Sequence, residues 1–493
     1  MGERRHFREI GKDIFAYGFM SALSQVSGLL LLPLFTRIFS VDEYGVIDIF
    51  ATFVSILTTV AQLSLPSAIS RYFNDTSGVQ EQKQLISTSL AFVAGVGLLI
   101  LFGLSLFKNA LAHNLLGGEQ YAALVQYGCW IALLRSLSSI PMRILRLERK
   151  IIVFNLIGVS STILYLLSAL YLVIGQKSGI VGVFIAQVVA AAVSLLISLG
   201  LARKYLTLRL SSNQLKRVLK YSLPLFPAVF VSWANSQTDR LLILLIVGLG
   251  SVAIFGAAAK IAKIITFLVL VFRQAWQPYS VLIIKSLERD AVYRRMLNYY
   301  AGIFASLGLV FTAVSPELFA LIVPEEYYYG YIVIPWLIGS IILHQSASLT
   351  NLGMIASEKT SGISIASWIG VSLNLIIALS LIRTFGVAGA AIGSFIAELV
   401  FTGLSWRFTV QKSSIRFNTK IIVIVLLSYI FGSILLIAIS KVVISPMSIV
   451  YRVISSLVFV GLIAYQTIDE PVLRFLKTIP KRLELLFKRS RAS

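Results

Sequence analysis

Five charged side chains stand where apolar sequence has no use for them. Within two long hydrophobic runs between Tyr221 and Val281, joined by a short connection at Gly250 and Ser251, the chain carries Asp239 and Arg240, then Lys260, Lys263 and Arg273. A charge at bilayer depth costs roughly 2.5 to 3.5 kcal/mol on the insertion scale, so it faces a polar interior or a partner. With a rise of about 1.5 Å per residue, Asp239 and Lys260 both lie ~15 Å from the membrane face that carries the connection, which predicts a pair. Lys260 and Lys263 share one helix face, whereas Arg273 lies deeper and is rotated away. A pair that only locks two helices together accounts for Asp239 and one cation. The remaining cations leave positive charge over, and the set as a whole reads as the wall of a polar cavity.

Other polar groups sit at comparable depth: Arg135, His344, Asn374 and Glu398. A lone His or Asn in a span is most simply a helix–helix hydrogen bond. Glu398 differs, because its expected depth is close to that of Asp239.

The elements that must hold these groups follow from composition. With 57% hydrophobic residues, 13% charged residues and a mean hydropathy of +0.88, 493 residues exceed what a soluble core can hide. Apolar runs near 20 residues recur along the chain. The expected fold is an all-α polytopic membrane protein of about 14 transmembrane helices; the alternating pattern of a membrane barrel is absent. Arg135 falls in the fourth expected span, Asp239 and Arg240 in the seventh, and Lys260, Lys263 and Arg273 in the eighth.

Charge orients the bundle. Lys and Arg collect in the amino-terminal segment (Arg4, Arg5, Arg8, Lys12) and in every second connection, while the opposite side has only Arg37, Lys108, Lys177, Arg383, Lys441 and Arg452. The positive-inside rule then places both termini in the cytoplasm. The same partition accounts for a net charge of +22 and removes the case for a nucleic-acid partner, since no stretch interleaves basic and aromatic residues on a soluble module. The first span is too long for a signal peptide and is expected to be retained. The single Cys129 excludes an internal disulfide, no Cys/His spacing suggests a metal, and no Walker motif supports direct use of ATP.

The chain also repeats itself. Ile157–Ser160 (IGVS) recurs as Ile369–Ser372, and the opening Gly179 and Gly182 recurs as Gly386 and Gly389. An offset near 208 lays Ile49–Thr58 over Ala257–Thr266. Six spans separate the copies, so both halves cross the membrane in the same sense, as a parallel repeat. The expected organisation is an N-terminal six-helix lobe (1–202), a linker (203–220), a second six-helix lobe (221–408), an appended helix pair (409–470) and a basic tail (471–493). The linker alternates basic residues with Leu206, Leu208, Leu210, Leu215 and Leu219, as either an interfacial tether or a plain surface connection.

Gln25, the ending Pro33, Thr36 and Arg37, and the turn Glu43, Tyr44 and Gly45 resemble the start of the Wzx-type polysaccharide flippases. That superfamily also contains lipid II flippases and multidrug and toxin extrusion transporters. The resemblance implies a non-enzymatic flippase of the bacterial cytoplasmic (inner) membrane. Its expected substrate is an oligosaccharide on an undecaprenyl diphosphate carrier, moved by alternating access for O-antigen, capsule or exopolysaccharide synthesis. A polysaccharide polymerase and chain-length machinery are the implied partners, beside membrane lipids. Arg37, Arg135, Arg240, Lys260, Lys263 and Arg273 are then expected to line the substrate cavity, since cations in a dry cavity compensate a diphosphate. Some relatives bind a coupling cation among helices 7, 11 and 12, which here carry Asp239, Asn374 and Glu398. Their oxygens suit Na⁺, or a proton on a buried carboxylate; otherwise these acids only neutralise Lys260 and Lys263. No other cofactor is expected. A drug exporter of the same superfamily would need surplus acid in its cavity. A membrane-embedded glycosyltransferase or polymerase would need a larger outer loop than Lys108–Gln120 or Ser315–Gly330.

Overall fold

In the computed structural model, every regular element among the described residues is a helix. The structure describes residues 29, 31–76, 78–283, 286, 288–356, 361–413, 419–442 and 447–467. Gln25, the basic amino-terminal segment and the basic tail lie outside the described residues. The first helices are α1 (Leu32–Ile38), α2 (Val41–Gln62), α3 (Leu65–Tyr72), α4 (Val79–Leu106), α5 (Lys108–Leu116), α6 (Ala122–Leu147), α7 (Ile151–Leu170) and α8 (Gly179–Ala202). They are followed by α9 (Ser212–Ile246), α10 (Leu249–Ala262), α11 (Ile264–Ile283), α12 (Arg289–Ile322), α13 (Ile334–Ala356), α14 (Ser361–Phe385), α15 (Val387–Ser413), α16 (Thr419–Val442) and α17 (Met447–Thr467).

Eleven of these helical stretches are long and apolar enough to cross a membrane. The protein is therefore a multi-pass membrane protein. The expected first span falls mainly outside the described residues. The fourth and seventh exist as α6 and α9 but fall short in hydropathy, because α6 carries Arg135, Arg143 and Arg146 and α9 carries Asp239, Arg240 and a run of Ser, Asn and Gln.

Contacts divide the chain into two compact units. One takes residues 1–275, 319–333 and 364–397; the other takes 276–318, 334–363 and 398–493. In the first unit an apolar core closes one end of the bundle, where Leu65 and Ile69 of α3, Leu85 of α4, Ile144 of α6 and Val218 of α9 are buried together. Along the spans, contact with lipid replaces water exclusion: α7 leaves Ile152, Leu156, Ile163 and Leu167 exposed, as apolar tails permit. In the second unit, buried hydroxyls bond carbonyls of α13, Tyr300 to Ile342 at 3.0 Å, Thr402 to Leu343 at 3.0 Å and Tyr429 to Pro335 at 2.6 Å.

Local chemistry sets the helix starts that matter. Ser40 and Glu43 form a capping box on α2: the Glu43 N–H donates to Ser40 Oγ at 3.3 Å and the Ser40 N–H donates to Glu43 Oε2 at 2.9 Å. The expected linker is helical from Ser212 onward, because Ser211 caps α9 and Glu81 accepts from Gln214 and Arg217 of its first turns. Before it, Lys204 and Tyr205 both donate to Glu148 at the end of α6. Burial pushes the Glu148 carboxyl up, but hydrogen bonds from Lys204, Tyr205 and Lys150 outweigh it and hold the group below its ordinary value.

The repeat is visible in the backbone. Gly179 opens α8 and Gly386 immediately precedes the matching α15, and both adopt left-handed φ, 59° and 56°. The starts of α2 and α10 differ by the repeat offset, and the two helices pack face to face with repeat-related residues opposed. A methyl group at Gly256 would overlap the Asp48 carboxylate, and one at Gly45 would overlap the Leu249 carbonyl. Gly256→Ala is expected to destabilise the protein by about 1–3 kcal/mol, seen as a lower melting temperature in detergent. Gly403→Ala, where no atom lies within 4 Å of the added carbon, is the neutral control. The depressed Glu148 carboxylate contributes stability that is present above the ordinary Glu range and lost as pH falls through its folded value. A spin label at Leu208 should therefore gain mobility on acidification, and in Glu148→Gln it should be mobile at every pH.

Candidate functional site

The first unit holds a chain of polar contacts between α2 and α9. Going down α2, Asp48, Thr52 and Ser55 recur on one helix face; going back along the antiparallel α9, Arg240, Gln237 and Trp233 meet them. Arg240 Nε donates to Asp48 Oδ2 at 2.8 Å, Thr52 Oγ1 to Gln237 Oε1 at 2.9 Å, and Trp233 Nε1 to Ser55 Oγ at 2.8 Å. The ladder runs for about 10 Å of helix.

Its charged end is shared with α10. Lys260 Nζ donates to Asp48 Oδ1 at 2.8 Å and to the Tyr44 hydroxyl at 2.6 Å, and sits 4.7 Å from the centre of the Tyr44 ring. Asp48 is thus bonded to a guanidinium and an ammonium from two different helices, and its side chain is only 3% exposed. Taking charges out of water is offset only by such close partners. Tyr44 packs edge-on against Tyr327, in the 3-10 stretch Glu325–Val333 that also lies on α10.

Lys263 follows at the end of α10. Its side chain is exposed, makes no hydrogen bond to a described residue, and stands within electrostatic reach of Arg240, Asp48 and Lys260. On the facing side, Tyr165 of α7 lies within reach of Lys260, Arg135, Tyr44 and Gln187. Arg135 of α6 is exposed and donates to Gln187 Oε1 of α8 at 3.2 Å. Four of the six expected cavity cations, Arg135, Arg240, Lys260 and Lys263, therefore lie around one polar region of the first unit.

The other two lie apart from these contacts. Arg37 donates to the Leu321 carbonyl at 3.2 Å, at the open carbonyl end of α12, where a cation also meets the negative end of the helix dipole. Arg273 is half-buried, midway along α11.

Equal depth suggested a pair between Asp239 and Lys260, but Lys260 pairs with Asp48. Adjacent residues on a helix point about 100° apart, so Arg240 faces α2 while Asp239 turns toward α14 and α15. There Asn374 Nδ2 donates to Asp239 Oδ1 at 3.1 Å and Ser394 Oγ to Oδ2 at 2.5 Å. The Asn374 side-chain oxygen is buried with no hydrogen-bond partner among the described residues. Glu398 belongs to the second unit, where His344 Nδ1 lies 3.1 Å from both of its oxygens and the His344 ring stacks on Phe401.

Sequence reasoning passed over Asp48, Tyr44, Tyr165, Gln187 and Ser394 as site residues. A signal existed for Asp48, an acid inside an expected span at the repeat position of Gly256. The hydroxyls and amides carry none, since they are ordinary within helix bundles. Asp48→Ala strands the buried Arg240 and the partly buried Lys260 and should cost about 3–5 kcal/mol in thermal unfolding. Asp48→Ala with Lys260→Met should recover part of the loss.

Known proteins share both sequence and fold with this chain. Residues 10–283 match the family model described as polysaccharide biosynthesis protein. The "Lsg locus putative protein 1" of Haemophilus influenzae is 22% identical over 338 residues, covering 67% of this chain and 77% of that protein. Among solved structures, the lipid II flippase MurJ in an inward closed conformation superposes with a TM-score of 0.71 at 16% identity, over 91% of this chain and 98% of that one. An inward-facing multidrug transporter of the MATE family gives 0.63 at 16% identity, over 81% and 94%. On a fold shared with MurJ and the MATE transporters, this chain belongs to the polysaccharide biosynthesis protein family.

Proposed function

We propose that the protein is a flippase for an oligosaccharide carried on a lipid diphosphate, loaded at the cytoplasmic face of the bacterial inner membrane and released outside. The observation that carries this reading is the charge of the polar region. Arg240, Lys260 and Lys263 against Asp48 leave a double positive surplus, which suits the two negative charges of a diphosphate diester. Arg135, Tyr165 and Gln187 add a cation and hydrogen-bonding groups of the kind that hold sugar hydroxyls.

In the absence of cargo, Asp48 keeps Arg240 and Lys260 compensated and ties α2 to α9 and α10. A diphosphate entering the region gives these cations a second anionic partner, which weakens the tie as the cargo binds. Alternating access would use that exchange to separate α2 from α10. A cavity of this charge disfavours cationic drugs as cargo.

Asp239, Asn374 and Ser394 are proposed to hold the coupling cation. The unpartnered amide oxygen of Asn374 beside the Asp239 carboxylate and the Ser394 hydroxyl is an oxygen set suited to Na⁺. A bound cation would lower the repulsion between these oxygens and link α9 to α14 and α15.

The first test is transfer of a lipid-diphosphate-linked oligosaccharide in proteoliposomes. Lys260→Ala/Lys263→Ala, still inserted and folded, should slow transfer by more than tenfold, as loss of charge-assisted phosphate contacts implies. Undiminished transfer would make the lysines structural, and drug efflux in place of lipid transfer would overturn the flippase reading. A Na⁺ gradient should speed native transfer, and Asp239→Asn should abolish that gain. Acceleration by a proton gradient alone would assign H⁺ as the coupling ion, and acceleration that survives Asp239→Asn would remove this site from coupling.

A further inference from the structure

The segment before α9 is a strap with a space beneath it. After one 3-10 turn at Arg203–Tyr205, residues Leu206 to Ser211 run without regular structure. Two backbone amides fasten the strap to α4: the Thr207 N–H donates to Ser87 Oγ at 2.8 Å and the Ser211 N–H to Thr88 Oγ1 at 3.0 Å. Between these pins the strap bounds a groove of about 630 Å³.

The groove is apolar, and its shape has a sequence cause. Leu90, Ala91 and Ala94 share one face of α4, where the two alanines leave a recess; Leu137 of α6 and Leu199 of α8 form its walls. Leu208 and Leu210 reach over it from the strap, and they are 100% and 60% exposed.

Charge stands beside this apolar surface. Arg203 and Arg209 are exposed, and neither side chain bonds a described residue, whereas Lys204 is committed to Glu148. A single occupant that satisfies both surfaces must combine an apolar chain with an anionic head.

We propose that the strap groove is a binding site for one anionic phospholipid, with an acyl chain over Ala91 and Ala94 and the phosphate on Arg203 and Arg209. The volume lies within the range of small-molecule sites, roughly 300–1,000 Å³. Basic pockets between helices at the cytoplasmic leaflet recognise anionic headgroups. A zwitterionic lipid could fill the groove but would leave the two arginines uncompensated. Only the leaflet rests on the orientation expected from the positive-inside rule and on the proposed function, and binding is read on the folded chain, independently of transfer.

The test uses the full chain in detergent, equilibrated with equal amounts of phosphatidylglycerol and phosphatidylcholine, with retained lipid counted by mass spectrometry of the intact complex. Native protein should keep phosphatidylglycerol with a preference of roughly 30-fold, the effect of two arginines at a membrane surface. Arg203→Gln/Arg209→Gln should lose the preference, and Ala94→Trp, which fills the recess, should lose the retained lipid; unchanged melting temperatures certify both folds. Equal retention of the two lipids by native protein, or a preference that survives Arg203→Gln/Arg209→Gln, would overturn the site. So would displacement of phosphatidylglycerol by an equal amount of a polyprenyl phosphate, which would assign the groove to the carrier lipid instead.

Discussion

Asp48 is a carboxylate that the bilayer would not tolerate alone, bonded to two cations that the bilayer would not tolerate alone either. Arg240 arrives from α9 and Lys260 from α10, and neither helix could place its charge at this depth without an anion from another element. The arrangement of α2 between these two helices follows from that requirement. So does the ladder below it, where Thr52 and Ser55 continue the face that Asp48 opens. Removing water makes each of these contacts stronger and each unmade contact more costly, so the network specifies one packing of the three helices.

The internal repeat makes this arrangement possible. Because α2 and α10 descend from equivalent positions and run in the same sense, they can meet in register, with Asp48 against Gly256. A side chain at residue 256 would take the space of the carboxylate, and a side chain at residue 45 would hold the backbones apart. Sequence divergence between the halves thus has a physical use: one copy supplies the acid, the other the vacancy and, one turn later, Lys260. The left-handed glycines at the starts of α8 and α15 show the same ancestry kept for geometry alone.

Hydropathy and function pull in opposite directions along this chain. The two expected spans that fall short on hydropathy, α6 and α9, are those that carry Arg135 and the pair Asp239 and Arg240. Neighbours take up their polar groups: Gln187 for Arg135, Asp48 for Arg240, and Asn374 with Ser394 for Asp239. The strap before α9 has the complementary character, with exposed Leu208 and Leu210 beside Arg203 and Arg209, whose side chains bond no described residue.

The helical class, the multi-pass character and the placement of charges inside spans were legible in the sequence alone, because hydrophobic length, Lys and Arg asymmetry and the energetic cost of buried charge are local properties of the chain. The parallel repeat was legible too, from Gly179 and Gly386 and from the offset that sets α2 over α10. Pairing was not legible. Depth along a helix can be counted, but the direction in which a side chain leaves the helix, and which neighbour stands there, depend on the packing of all the others. Asp239 and Lys260 share a depth yet face different helices; Asp48 drew no notice as a lone acid and became the anion at the centre of the site. Only the tertiary structure decides such matters, because the free energy of a buried charge is set by its contacts across helices rather than by its position along one.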